Sequence, residues 1–300
     1  MPDTNTTSLS EAVLEVYSKD IQFYAQPILR YAQFATKKTE LGTEPGLTVN
    51  FTKYNSLNKG GQLDEGNPMT TQGLTANQTQ LTVTEYGNAI SVSEKLLQSS
   101  FDDILSSGAR LLGMDYAEVL DEMLRDSIIN NQTSVTYAGG QTARENLAEG
   151  DVFDSALLKD AVEVLKTKNV RKYNGDAYIC FIHPHQERGL KDDADFKNAN
   201  DYGGIYAGEF GRIDDVRFIT TTQQPTVEVD PDGTASSGDE FTAYQAVIFG
   251  DNAYGWAEGL PVEMRDGGVV DFGREHKLAW YSIMGSGLIE EENSLILETR

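Results

Sequence analysis

The sequence predicts an α+β fold, on three observations. Residues 46–93 hold two stretches that alternate in period two. Residues 99–131 hold one long stretch with apolar positions at helical spacing. The second half then returns by turns to strand-like and helix-like patterns.

The elements follow in order. After a polar start, Val13, Leu14, Tyr17, Ile21 and Tyr24 recur at intervals of three and four, up to Pro27. Ile28, Leu29, Tyr31 and Phe34 come next. So many aromatics near a terminus suit an arm that clamps onto a surface, and equally a terminal helix docked on its own core. In the ribbon, Leu47, Val49 and Phe51 alternate with Thr48, Asn50 and Thr52, and Leu81 and Val83 alternate with Thr82 and Thr84. Between them lies a polar run containing Asn58, Lys59, Gly60, Gly61, Glu65, Gly66, Asn67 and Pro68. An isolated two-stranded ribbon is marginal in water and exposes unpaired edges. Nothing just before it supplies a floor, so it reads as an arm made for another subunit.

Ser100 is placed to cap the helix that follows, with Asp103 near the positive end of its dipole. Phe101, Ile104, Leu105, Leu112, Tyr116, Val119, Leu120, Met123 and Leu124 hold one face. Asp102, Arg110, Asp115, Glu118, Asp121, Glu122 and Arg125 supply much of the polar remainder. Ending near Asn130, the helix would span about 45 Å and act as a strut.

Asp154 opens a second helix through Leu157, Leu158, Ala161, Val162 and Leu165. Residues 177–182 form a continuous apolar run, as in a central strand covered on both faces. Pro184 ends it, a short polar helix over 186–192 follows, and a glycine-rich loop covers 202–211. Strands are predicted over 216–220 and 243–249, separated by a surface insertion at 230–240. Further strands over 262–265, 269–272, 278–283 and 295–298 close the chain. Neither an internal repeat nor an interdomain linker is evident.

The chain has 300 residues and a lopsided charge, 24 Lys+Arg against 47 Asp+Glu, for a net −23. Phosphate surfaces need clustered basic residues to replace released counterions. The acidic excess therefore argues against tight nucleic-acid binding and against docking on anionic membranes, and it suits a protein that stays soluble at high concentration; no sequence-specific nucleic-acid binding is expected. The lone Cys180 sits in the buried strand pattern and reads as an inert core thiol. Residues 1–8 lack the basic and apolar regions of a signal peptide, and no apolar run reaches membrane-spanning length.

Candidate chemistry is sparse. His183 and His185 flank Pro184, and such a pair can bind zinc or copper, but a site needs a third ligand. Asp192, Asp193 and Asp195 lie near in sequence, which keeps a metal-dependent hydrolase as the second reading. A turn at a strand end explains the pair more simply. The acidic loop at Asp230, Asp232, Asp239 and Glu240 lacks EF-hand spacing, and Gly203, Gly204, Gly208 and Gly211 form no phosphate loop. Gly285, Ser286 and Gly287 lack the flanks of a nucleophile elbow. Paired carboxylates such as Asp214 with Asp215, or Glu290 to Glu292, are too common in so acidic a chain to signify catalysis. No enzyme constellation and no cofactor are expected.

The order of parts is arm, polar ribbon, strut helix, mixed α/β body and closing strands. In that order the chain resembles the major capsid protein of tailed bacteriophages, in particular the podovirus-like group, whose fold is shared with the herpesvirus capsid floor. The segments 208–220 (GEFGRIDDVRFIT), 247–255 (VIFGDNAYG) and 272–287 (FGREHKLAWYSIMGSG) carry the similarity. The resemblance implies an N-terminal arm over 1–45, an E-loop ribbon over 46–93 and a spine helix over 99–131. It implies a peripheral domain over 94–176 and 260–300 and an axial domain over 177–259. It further implies a shell of pentamers and hexamers around double-stranded DNA, built in the host bacterial cytoplasm and carried in the virion. Tyr17, Phe23, Tyr24, Lys53, Lys59, Asp64 and Glu65 would make intersubunit contacts. Portal, scaffolding or decoration proteins are possible partners. Scaffolding is expected to be separate or absent, since little chain precedes Glu11. A tail or portal-adjacent structural protein is a third reading, which would lack the arm–ribbon–strut order.

Overall fold

A computed structural model describes residues 29–39, 48–55, 57–62, 69, 71–99, 104–193, 196, 206, 208–231 and 240–300. The short helix expected before Pro27, the Ser100 and Asp103 cap, and most of the acidic insertion lie outside the described residues.

Two sheets and a long helix make the body. Strands β5 (Val135–Tyr137), β6 (Tyr178–Ile182), β7 (Glu209–Ile213), β8 (Val216–Thr220), β9 (Thr226–Val229), β10 (Phe241–Phe249) and β13 (Ser294–Thr299) form a seven-stranded mixed sheet. Its order is β5-β13-β10-β6-β8-β7, with β9 also on β10. Strands β1 (Thr36–Lys38), β11 (Tyr254–Val270), β12 (Glu275–Leu288) and β4 (Thr84–Ser93) form a second sheet in that order. A separate two-stranded ribbon pairs β2 (Thr48–Tyr54) with β3 (Ala76–Thr82).

β6 is buried along its whole length, as its apolar run predicts. Ile179 and Phe181 face a core shared with Val247 and Phe249 of β10 and with Met264, Leu278, Trp280 and Met284 of the other sheet. Tyr178, Cys180 and Ile182 face the opposite side, onto helices α3 (Ser155–Thr167) and α4 (Pro184–Asp192). Asp154 caps α3 by accepting from Leu157 N–H at 2.9 Å, as its sequence position suggests.

A short helix, α1 (Glu94–Ser99), precedes the long one, α2 (Ile104–Ile129), whose 26 residues span about 39 Å. Its end at Ile129 lies one residue from the expected Asn130, and the expected start near Ser100 lies outside the described residues. Leu112, Tyr116, Ala117, Leu120, Leu124 and Ile128 bury its inner face, and Gly108 lets Ile90 of β4 approach closely. Asp121 lies on this buried face, contrary to its expected place on the polar side.

Several boundaries are corrected by the pairing. The ribbon ends at Thr82, because the run 84–93 leaves it to pair with β12 over ten residues. The strands expected at 262–265 and 269–272 are one strand, β11. It ends at Val270, since Asp271 to Gly273 make the hairpin turn with positive φ at all three residues. Part of the expected glycine-rich loop is strand β7. The expected division at 177 and 259 does not follow the sheets. α3 covers the seven-stranded sheet, β13 lies inside it, and β11 opens at Tyr254 within the other sheet.

Candidate intersubunit surface

The ribbon is a seven-pair antiparallel ladder, from Thr48 opposite Thr82 to Tyr54 opposite Ala76. Its base does have a floor, which the sequence reading denied it. Val49, Leu81 and Val83 bury against Ala257 of β11, with Phe51 and Ile283 packed beside them. The floor is flat because it is made of small residues. A Cβ on Gly285 would come within 2.1 Å of Thr82 O, and one on Gly287 within 2.2 Å of Leu81 Cδ2. In a strand, residues two apart share a face. The Gly285 and Gly287 spacing was therefore the signal that could have located this seat.

Polar contacts fasten the same region. Lys53 Nζ pairs with Glu290, and Thr79 Oγ1 donates to Ile289 O at 3.3 Å. Glu291 accepts from the Thr133 hydroxyl and from Thr133 N–H at 3.3 Å. Glu290 and Glu291 thus brace the loop under the ribbon, which gives these carboxylates a structural role. Lys53, expected to contact another subunit, meets its own chain here.

Beyond this seat the ribbon is exposed. Asn55 N–H donates to Thr75 O at 2.9 Å to extend the ladder, and Asn58 and Gln72 exchange hydrogen bonds across it. Tyr54, Leu57, Met69 and Leu74 then stand 58–73% exposed. Lys59 is also exposed, whereas Tyr17, Phe23, Tyr24, Asp64 and Glu65 lie outside the described residues. Other apolar side chains among the described residues also face solvent, among them Leu111 with Met114 on the outer side of α2, and Val269 with Phe272 at the hairpin tip. Phe272, at φ 54°, is held fully out of the body.

The histidine pair is built into a helix end. His183 Nδ1 accepts from His185 N–H at 3.1 Å, and Gln186 Oε1 accepts from His183 N–H at 3.1 Å, a reciprocal capping box. The His185 ring stacks on Tyr244 with centroids 4.3 Å apart. Burial, then the neighbouring His185, hold His183 below the usual imidazole range, which keeps Nδ1 an acceptor. Asp193 accepts from Ser155 N–H at 2.9 Å. Among the described residues, no group of three or more His, Cys, Asp or Glu is placed to hold a metal ion. Cys180 is buried, and burial pushes its thiol well up from the ordinary value.

Comparison with known proteins agrees with this architecture. The major capsid protein of Staphylococcus phage phiMR11 is 21% identical over 215 residues, which are 70% of this chain and 72% of that protein. Among solved structures, the capsid of Ralstonia phage GP4 superposes with a TM-score of 0.73 at 18% identity, covering 89% of this chain and 87% of that one. The head of Helicobacter pylori bacteriophage KHP40 gives 0.69 at 12% identity, over 90% and 88%. The family model described as phage capsid protein matches residues 76–292, from the first residue of β3 to the loop before β13, and so the chain belongs to the phage capsid protein family.

Proposed function

We propose that this chain is the major capsid protein of a tailed phage, a structural subunit that assembles as pentamers and hexamers into an icosahedral shell around double-stranded DNA. The match of the capsid family over residues 76–292 carries the reading. The exposed apolar side chains of the ribbon support it, because beyond Tyr54 none of its described residues before Leu81 is buried, and such a ladder gains a floor by lying on a neighbour. The body on the seven-stranded sheet would be the axial domain, and the sheet of β1, β11, β12 and β4 with α2 the peripheral domain. The net −23 would keep packaged DNA off the shell wall if the acidic groups face inward. Assembly would take place in the host bacterial cytoplasm, with portal, scaffolding or decoration proteins as partners and the virion as destination.

Electron microscopy of the purified chain tests this: closed shells or capsomers are expected, and small discrete oligomers alone would overturn it. Replacing residues 55–75 with a short turn keeps the seat and removes the tip. The variant should stay soluble with unchanged circular dichroism outside the ribbon, yet form no closed shells. Normal shells from it would mean that the tip makes no essential contact.

A further inference from the structure

β4 is an outer strand: in the order β1-β11-β12-β4 it pairs with β12 alone. The pairing runs from Thr84 opposite Met284 to Ser93 opposite Glu275 without a bulge. One face of β4 is fastened to the body, with Ile90 close against Gly108 of α2 and Asn88 Nδ2 donating to Asp115 at 3.1 Å. Successive residues of such a strand send their backbone groups to opposite edges. Glu94 N–H, one step past β4, donates to Arg274 O at 2.8 Å, so the even-numbered residues are the ones that bond β12. Ala89 N–H is instead taken by Asn88 Oδ1 at 2.8 Å, in keeping with odd-numbered residues looking outward. The N–H and C=O groups of Glu85, Gly87 and Ser91 thus point away from β12, and no strand among the described residues pairs with them.

An open edge is a template for another strand, and proteins blunt theirs by shortness, lysine, proline or a bulge. The other outer strands of the two sheets follow that practice. β1 and β5 have three residues each, β9 four and β7 five. β1 carries Lys37 and Lys38, and β7 carries Glu209 and Arg212. β4 has ten residues with no proline, no lysine and no bulge. It also ends a stretch nearly free of charge: between Glu65 and Glu94 the only charged residue is Glu85, in a chain that is 24% charged. We propose that the outer edge of β4 is a strand-addition site for a second copy of this chain.

The choice of partner rests on the reading of the chain as a shell subunit, and charge favours it. Two copies at −23 repel, so they approach at least cost where neither presents charged side chains. Residues 86–93 offer such a surface, and the outward Gly87, Ala89, Ser91 and Ser93 are all exposed. A second copy also brings strands of the same kind, since β3 carries no charged side chain and pairs with β2 alone. Strand addition draws its affinity from main-chain hydrogen bonds, which need no complementary charge. Ten paired residues on β12 and the packing under α2 hold the β4 edge in place before a partner arrives, which lowers the ordering cost of binding. Asn88 holds the Ala89 N–H until an incoming carbonyl replaces it.

Ser91→Pro in the full chain tests the proposal. It removes one outward N–H and puts the proline ring on the open side, while the bonds of Asn88, Ile90 and Val92 to β12 stay in place. The thermal midpoint should hold within a few degrees, and the concentration at which shells appear, followed by light scattering and electron microscopy, should rise about tenfold or more. If wild type and variant form shells at the same concentration, the edge site is overturned and the shell reading stands. If the wild type forms no assembly at all, the shell reading falls and takes the site with it. If Ser91→Pro lowers the midpoint strongly, Ala89→Glu decides, because it keeps every backbone group and places a charge on the edge. A raised threshold for that variant supports the site, and an unchanged threshold sinks it.

Discussion

The ribbon and the seven-stranded sheet are both β-structure, yet they are held by different forces. β6 has every residue buried, with Ile179 and Phe181 in one core and Tyr178, Cys180 and Ile182 in another. Along β2 only Val49 is buried and Phe51 half-buried; the rest is exposed. The sheet is placed by the hydrophobic effect. The ribbon is placed by its backbone ladder and by one small seat of Val49, Leu81, Val83 and Ala257 over glycines. Substitutions in the sheet should therefore act on folding, and substitutions in the ribbon on assembly.

The largest effect should come from Phe181→Ala, which removes a ring stacked on both Tyr31 and Phe249 at centroid distances of 4.1 and 5.6 Å. A loss of about 3–5 kcal/mol is expected, read as a large drop in the thermal midpoint. An unchanged midpoint would erase the contrast between the two regions.

Gly285→Ala is aimed at the seat, where the added methyl would collide with the Thr82 carbonyl. The expected cost is about 1–3 kcal/mol, concentrated in the ribbon. Amide exchange should rise over 48–54 and 76–82 and stay unchanged over α2, with closed shells lost under the microscope. Uniform loss of protection would show that ribbon and body are one cooperative unit.

Lys53→Glu should have the smallest effect on subunit stability. Its pair with Glu290 leaves the lysine 57% exposed, and surface pairs of this kind are worth ~0–1 kcal/mol. Assembly rates measured by light scattering should fall modestly, and the double exchange of Lys53→Glu with Glu290→Lys should restore them. If the exchange does not restore them, the lysine acts on a neighbour rather than on its own seat.

Much of the body was legible from periodicity. The buried strand at 178–182, the Asp154 cap and the strand at Val216–Thr220 are all local patterns, and local patterns survive folding. The candidate surface was less legible. The polar ribbon was visible, but its floor was not, because the strands that supply it come about 200 residues later. The place of β13 is illegible for the same reason: it joins β10 and β5 only through long-range pairing. Asp121 was misplaced because helical spacing predicts a face by composition, and a carboxylate counts there as polar whether or not a distant turn covers it.

By itself the sequence determined the α+β class, the long helix, the ribbon and the acidic balance of the chain. Each of these follows from the spacing or count of side chains along one stretch of chain. Only the tertiary structure decided that the ribbon rests on its own glycine floor, that Lys53 meets Glu290, and that the buried Asp121 carboxylate accepts from the backbone of Arg30 and Tyr31. Those are contacts between segments remote in sequence, and which segments meet depends on how both sheets and the helix share one core.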